Sequence, residues 1–118
     1  MPRPGALSAG ALVLALAGPA FAHSLLLESS PAAGSVGAAP GALTLRFNNR
    51  IEKALSRLKL TNERGEALPL AAPAADGPAD RLSAGLPPLP PGAYRVEWQV
   101  LSTDGHIVSG SFSFRVAP

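Results

Sequence analysis

The 118-residue sequence contains no cysteine, and its single methionine is Met1. No disulfide framework can therefore support the fold, although export remains compatible with this composition. Charged residues make up 15% of the chain, and no Lys/Arg cluster with interleaved aromatic residues occurs, which argues against nucleic-acid binding. No second hydrophobic segment follows the N-terminal one, so we expect a mature protein without membrane insertion.

The N-terminal segment has the pattern of a secretory signal peptide. Arg3 supplies positive charge, residues 6–17 are mostly apolar, and Ala20-Phe21-Ala22 has the small-x-small form that signal peptidase accepts. The apolar run is too short to span a bilayer, which takes ~20 residues. We therefore expect removal of residues 1–22 and export of one domain, 23–118. Loss of Arg3 leaves nine basic against eight acidic residues, a net charge of about +1.

Alternating apolar and polar residues predict an all-β fold. Leu43, Leu45 and Phe47 alternate with polar neighbours, the two-residue period of a half-buried strand. Two longer alternating runs, 94–101 and 111–116, flank a short polar insert and predict a closing hairpin. Five of the six aromatic residues fall on the predicted inward faces: Phe47, Tyr94, Trp98, Phe112 and Phe114.

Shorter strands are predicted elsewhere, separated by loops rich in glycine and proline. Between residues 51 and 60 a helix competes with a strand, but the following Asn62-Glu63-Arg64-Gly65 turn signal favours the strand and a hairpin. This pattern indicates an all-β sandwich of immunoglobulin-like size. The remaining predicted strands are 25–30, 66–70 and 81–86, and the predicted loops are 32–41 and 71–80.

The polar insert of the closing hairpin, Ser102 to His106, contains candidate metal ligands. Asp104-Gly105 is a strong turn signal in its own right, and His106 beside it is compatible with an ordinary surface histidine. The only other histidine is His23, and cleavage after Ala22 would make it the first residue of the mature chain. This coincidence favours a functional interpretation of both histidines.

An N-terminal histidine is an unusual metal ligand, because its α-amine (pKa ~7.7–8.0) and its ring Nδ1 can chelate one ion together. The amine and ring of His23, a second imidazole from His106 and the Asp104 carboxylate would supply three nitrogens and one oxygen. Cu(II) favours such sites, whereas Cu(I) prefers the sulfur ligands that the mature chain lacks. Zn(II) also accepts nitrogen and oxygen ligands and remains an alternative occupant.

Several blocks of the sequence are similar to those of a known family. They are His23 with Leu26 and Ser30-Pro31, then Leu45-Arg46-Phe47 with Ile51-Glu52, and finally 91–98, 102–106, Gly110, Phe112, Phe114 and Val116. In these blocks, which cover nearly the whole mature sequence, the chain resembles the CopC family of periplasmic copper-binding proteins. The block 102–106 and the residues that follow it form its most specific motif.

The resemblance implies a Greek-key β-sandwich or barrel with a Cu(II) site formed by the amine and ring of His23, Asp104 and His106. It also implies a periplasmic role in copper homeostasis or resistance, often beside an inner-membrane CopD-type copper transporter. We expect the mature protein to be a monomer. Some relatives have a methionine-rich Cu(I) loop, which this chain lacks. Some have an acidic residue just after the strand equivalent to that of Phe47, where Asn48-Asn49-Arg50 stands here, and we assign no further ligand to this segment.

Two other functions compete with a copper carrier. A histidine-brace copper redox enzyme, of the kind found among lytic polysaccharide monooxygenases, also uses an N-terminal histidine. The predicted ligation by Asp104 and the lack of an aromatic array for a polymer argue against it. The other alternative is an exported β-sandwich interaction module without metal. We therefore predict a non-enzymatic protein that sequesters or delivers Cu(II).

Overall fold

Two β-sheets packed face to face form the structure, a computed structural model that describes residues 25–118. The expected signal peptide, 1–22, and His23 lie outside the described residues. The smaller sheet has the strand order β1-β3-β6 and the larger one β2-β8-β7-β4-β5. The strands are β1 (Leu26–Ser30), β2 (Val36–Gly37), β3 (Ala42–Phe47), β4 (Arg57–Asn62), β5 (Ala67–Leu68), β6 (Arg81–Gly85), β7 (Gly92–Leu101) and β8 (Ile107–Val116).

The hydrophobic core lies between the sheets and is built from alternate residues of β3, β4, β6, β7 and β8, because successive side chains of a strand point to opposite faces. The rings of Phe47 and Trp98 meet edge to face with centroids 5.2 Å apart. Those of Tyr94 and Phe114 stack at 5.6 Å. Phe112, the fifth aromatic residue with a predicted inward position, is partly buried against this core. The predicted β-sandwich is therefore confirmed.

The β7–β8 hairpin is the longest paired segment among residues 25–118, with ten residues in each strand. Trp98 of β7 lies opposite Gly110 of β8. A Cβ at Gly110 would come within 2.5 Å of Cζ2 of Trp98, so the absence of a side chain leaves room for the indole ring. The hairpin thus links the core to the turn that carries Asp104 and His106.

The structure differs from the predicted pattern in two short segments. β2 lies within the predicted 32–41 loop and pairs in parallel with the end of β8. Val36 is 65% exposed, so β2 has no buried face that would produce an alternation of apolar and polar residues in the sequence. Within the segment 51–60, helix propensity is realised only as a 3-10 turn, Lys53–Leu55, and the favoured strand follows as β4. Among residues 25–118, no helix is long and apolar enough to span a bilayer.

Candidate metal centre

Asp104 and His106 lie together in the turn between β7 and β8. Nδ1 of His106 is 3.0 Å from Oδ2 of Asp104, and the backbone N–H of His106 donates a hydrogen bond to Oδ1 over 3.1 Å. The side chains are 35% exposed for Asp104 and 59% exposed for His106, so both are accessible to an ion from solvent. Asp104 and His106, which the sequence predicts as ligands, are therefore in contact in the folded chain.

The turn itself has a local cause in the sequence. The N–H of Ser102 donates to the carbonyl of His106 over 2.8 Å, and that of Gly105 donates to the carbonyl of Ser102 over 3.0 Å. Gly105 has φ +88°, a backbone conformation that side chains with a Cβ rarely adopt. The Asp-Gly pair therefore forms the turn that the sequence predicts and places the carboxylate and the imidazole side by side.

The electrostatics of the turn keep Asp104 ionised. Hydrogen bonds from the side chain and then from the backbone of His106 lower the pKa of Asp104, with a smaller contribution from Ser102, while desolvation opposes them. The ordinary aspartate pKa is already ~3.9, so Asp104 carries a full negative charge at neutral pH. The turn thus presents an anionic oxygen beside an imidazole, a donor pair that suits a divalent cation with nitrogen and oxygen ligands.

The beginning of β1 lies at the same end of the sandwich as this turn. Asn48, the residue after β3, is hydrogen-bonded to Leu25: the Leu25 N–H donates to Oδ1 over 2.7 Å, and the Asn48 N–H donates to the Leu25 carbonyl over 3.0 Å. Three residues later, Ile51 forms a β-bridge with Ser102. A span of three residues is at most ~11 Å. The loop 48–51 therefore joins the start of the described chain to the base of the Asp104–His106 turn.

Of the three predicted ligands, Asp104 and His106 are in contact, and His23 lies outside the described residues. Within the described part of the chain, no group of three or more His, Asp or Glu side chains is arranged to hold a metal ion. No pattern in the sequence indicates that Asn48 contributes to the site. Its contact with Leu25 joins residues 23 positions apart and depends on the pairing of β1 with β3.

Comparisons with known proteins agree with this architecture. A family model described as the CopC domain matches residues 26–117. The chain is 35% identical over 119 aligned positions to copper resistance protein C of Escherichia coli, an alignment that covers 94% of each chain.

Two solved structures are also similar. The crystal structure of CopC from Methylosinus trichosporium OB3b superposes with a TM-score of 0.77 at 34% identity, covering 81% of this chain and 95% of that one. PcoC, a methionine-rich copper resistance protein from Escherichia coli, superposes with a TM-score of 0.70 at 32% identity, covering 80% of this chain and 98% of that one. The predicted resemblance is confirmed, and the chain belongs to the CopC family.

Proposed function

We propose that this protein binds one Cu(II) ion through the amine and imidazole of a processed N-terminal His23, together with Asp104 and His106. The observation that carries the proposal is the 3.0 Å contact between His106 and an ionised Asp104 in an exposed turn. Leu25, two residues after His23, is tied through the loop 48–51 to the base of the same turn. The names of the three similar proteins described above, each a copper resistance protein or CopC, support copper as the ion.

The chemistry of the donors supports the divalent oxidation state. The sequence has no cysteine, and Met1 is its only methionine, so the mature chain has no soft sulfur donor for Cu(I). PcoC is described as methionine-rich, and this chain differs from it in that respect. Imidazole, amine and carboxylate groups are the ligands of tetragonal Cu(II) sites. A copper resistance relative with a single type of site is therefore the best description of this chain.

The two groups in the turn can both bind one metal ion if the ion replaces the hydrogen bond between their side chains. A carboxylate has about four lone-pair positions on its two oxygens, so Asp104 can keep the hydrogen bond from the His106 backbone N–H and still donate to an ion. The two ring nitrogens of His106 point away from each other, so an ion on Nε2 would lie too far from a carboxylate that accepts from Nδ1 to be bound by both. Binding of one ion by Asp104 and His106 would therefore replace the contact between Nδ1 and Oδ2.

A protein of this kind would sequester or deliver copper after export, without catalysing a reaction. The chain matches the CopC domain and a relative named copper resistance protein C, which supports the predicted non-enzymatic role. Export through the signal peptide 1–22 would place the mature monomer in the periplasm. A CopD-type copper transporter in the inner membrane is the delivery partner that the family resemblance suggests.

The proposal is tested by Cu(II) titration of the exported protein, after mass spectrometry of its N-terminus. We expect the mature chain to begin at His23, to bind one equivalent of Cu(II), and to give an EPR spectrum of a nitrogen-rich tetragonal site. His106→Ala should lower the affinity about a hundredfold or more, equivalent to ~2.7 kcal/mol, because it removes an imidazole ligand.

Two aspartates provide a matched comparison for the same titration. Asp104→Asn should weaken Cu(II) binding, because the charged oxygen is lost, whereas Asp76→Asn in the exposed loop between β5 and β6 should leave the affinity unchanged. A mature chain that starts elsewhere than His23, or His106→Ala with unchanged affinity, would contradict the proposal.

Copper affinity should also fall with pH, because protons compete with copper for the nitrogen lone pairs. From pH 8 to pH 6.5 the amine (pKa ~7.7–8.0) gains a proton, so the affinity should fall by up to about tenfold per pH unit. The lowered pKa of Asp104 keeps its carboxylate ionised throughout this window, so it adds no slope. Chelator-competition titrations measure this profile, and a flat profile above pH 6.5 would rule out the amine as a ligand.

A further inference from the structure

We propose that Asn48 is a positioning residue that holds the N-terminal segment in place for copper binding, an inference that rests on the proposed function. The residue does not need to contact the metal ion. Its side chain binds the backbone of Leu25, and only Ser24 lies between Leu25 and His23. The inference follows from the way in which β1 and β3 end.

Asn48 extends the ladder between β1 and β3 by one residue. The last pair within the two strands is Leu26 with Phe47. In the next pair the Asn48 N–H donates to the Leu25 carbonyl over 3.0 Å, as in an ordinary ladder. The return hydrogen bond goes from the Leu25 N–H to the side-chain Oδ1 of Asn48 over 2.7 Å. The amide side chain thus takes the part of a backbone carbonyl.

Because the side chain of Asn48 replaces a backbone carbonyl in this pair, the backbone after Asn48 can turn away while Leu25 stays paired. The chain then runs to Ile51, which bridges to Ser102, and to Glu52, whose N–H donates to the Leu101 carbonyl over 3.0 Å. One short loop therefore fixes two things at once: the start of β1 and the base of the Asp104–His106 turn. A side chain that cannot accept the Leu25 N–H would loosen only the first of these.

The cost of that loosening can be estimated from chain entropy. With Leu25 anchored, the Cα of His23 must lie within ~7 Å of the Leu25 Cα, the span of two residues. Without the Asn48 side chain, Leu25 keeps only the hydrogen bond that its carbonyl accepts, so its backbone is held less firmly. Fixing the backbone of one additional residue on binding lowers an affinity by roughly five- to thirtyfold. The chelate would remain complete, because no ligand is removed.

The test compares three variants of the mature protein: Asn48→Ala, Asn48→Asp and Asn49→Ala. Asn48→Ala should lower Cu(II) affinity by roughly five- to thirtyfold, with an unchanged EPR spectrum at saturating copper. In the metal-free protein it should also speed hydrogen exchange of the Leu25 amide, measured by NMR. Asn49→Ala is the matched control, because Asn49 is an exposed amide in the same loop with no side-chain hydrogen bond among residues 25–118. It should change neither quantity.

Asn48→Asp separates the hydrogen bond from a general effect of substitution. Its carboxylate can accept the same Leu25 N–H, so slow exchange at Leu25 and an affinity at least equal to that of the unaltered protein are expected. Unchanged affinity in Asn48→Ala, or an equal loss in Asn49→Ala, overturns the inference while leaving the copper site intact. If the unaltered protein binds no Cu(II), the proposed function fails and the inference fails with it. Cu(II) binding by the unaltered protein therefore distinguishes a failure of the inference from a failure of the proposed function.

Discussion

Addition of one residue before His23 is expected to weaken Cu(II) binding at least about a hundredfold, or ~2.7 kcal/mol. The extra residue converts the α-amine of His23 into a peptide nitrogen, whose lone pair is delocalised into the amide. The Asp104 and His106 side chains stay as they are, but the amine–imidazole chelate is lost. Because both groups belong to one residue, the second contact normally forms at a high effective concentration, and this advantage disappears.

The experiment compares a glycine added before His23 with a glycine added after Pro118, both titrated with Cu(II) against a competing chelator. The C-terminal extension controls for length and should bind as the unaltered protein does. Proteolytic removal of the N-terminal glycine should restore full affinity. Equal affinity in the two extended proteins would mean that the amine is not a ligand, and the proposed site would have to be abandoned.

Phe47→Ala is expected to lower the free energy of unfolding by ~3–5 kcal/mol, the usual cost of removing a buried aromatic ring. Phe47 is 1% exposed, and its ring meets that of Trp98 at 5.2 Å, so it joins the two sheets. Small domains have total stabilities of only ~5–15 kcal/mol, so this loss is a large fraction of the whole.

Urea unfolding of the metal-free protein measures the effect, with Phe112→Ala as the matched control. Phe112 contributes the same side chain from β8 but is only partly buried against the core. Its removal should therefore cost clearly less. Equal losses in the two variants would contradict the central position of Phe47, as would a loss in Phe47→Ala below ~1 kcal/mol.

Local pattern in the sequence is sufficient to predict β3, β7 and β8, because burial on one face forces a two-residue period on each strand. The Asp104–His106 contact is equally local, since the two residues are separated only by Gly105 in a turn. β2 could not be predicted, because Val36 and Gly37 pair with residues 115 and 116 and bury little apolar surface. The contact of Asn48 with Leu25 is likewise a product of strand pairing and not of composition.

His23 belongs to a different category of prediction. Its interest comes from the cleavage pattern of residues 20–22 and from the coordination chemistry of a terminal histidine. The folded domain adds the observation that Leu25 lies beside the loop that supports the turn. The proposed site would therefore depend on a covalent processing step that no packing pattern can encode.

The hydrophobic core lies away from the Asp104–His106 turn, so release of a bound ion would leave the core in place. Within the described range, none of residues 103–107 belongs to the hydrophobic core or packs against it. In small zinc domains the metal supplies the folding energy, so the empty protein is unfolded. Here the two sheets close over their own apolar residues, and a bound ion would add stability without being required for the fold. After release of the ion, the protein would thus stay folded and could bind another ion.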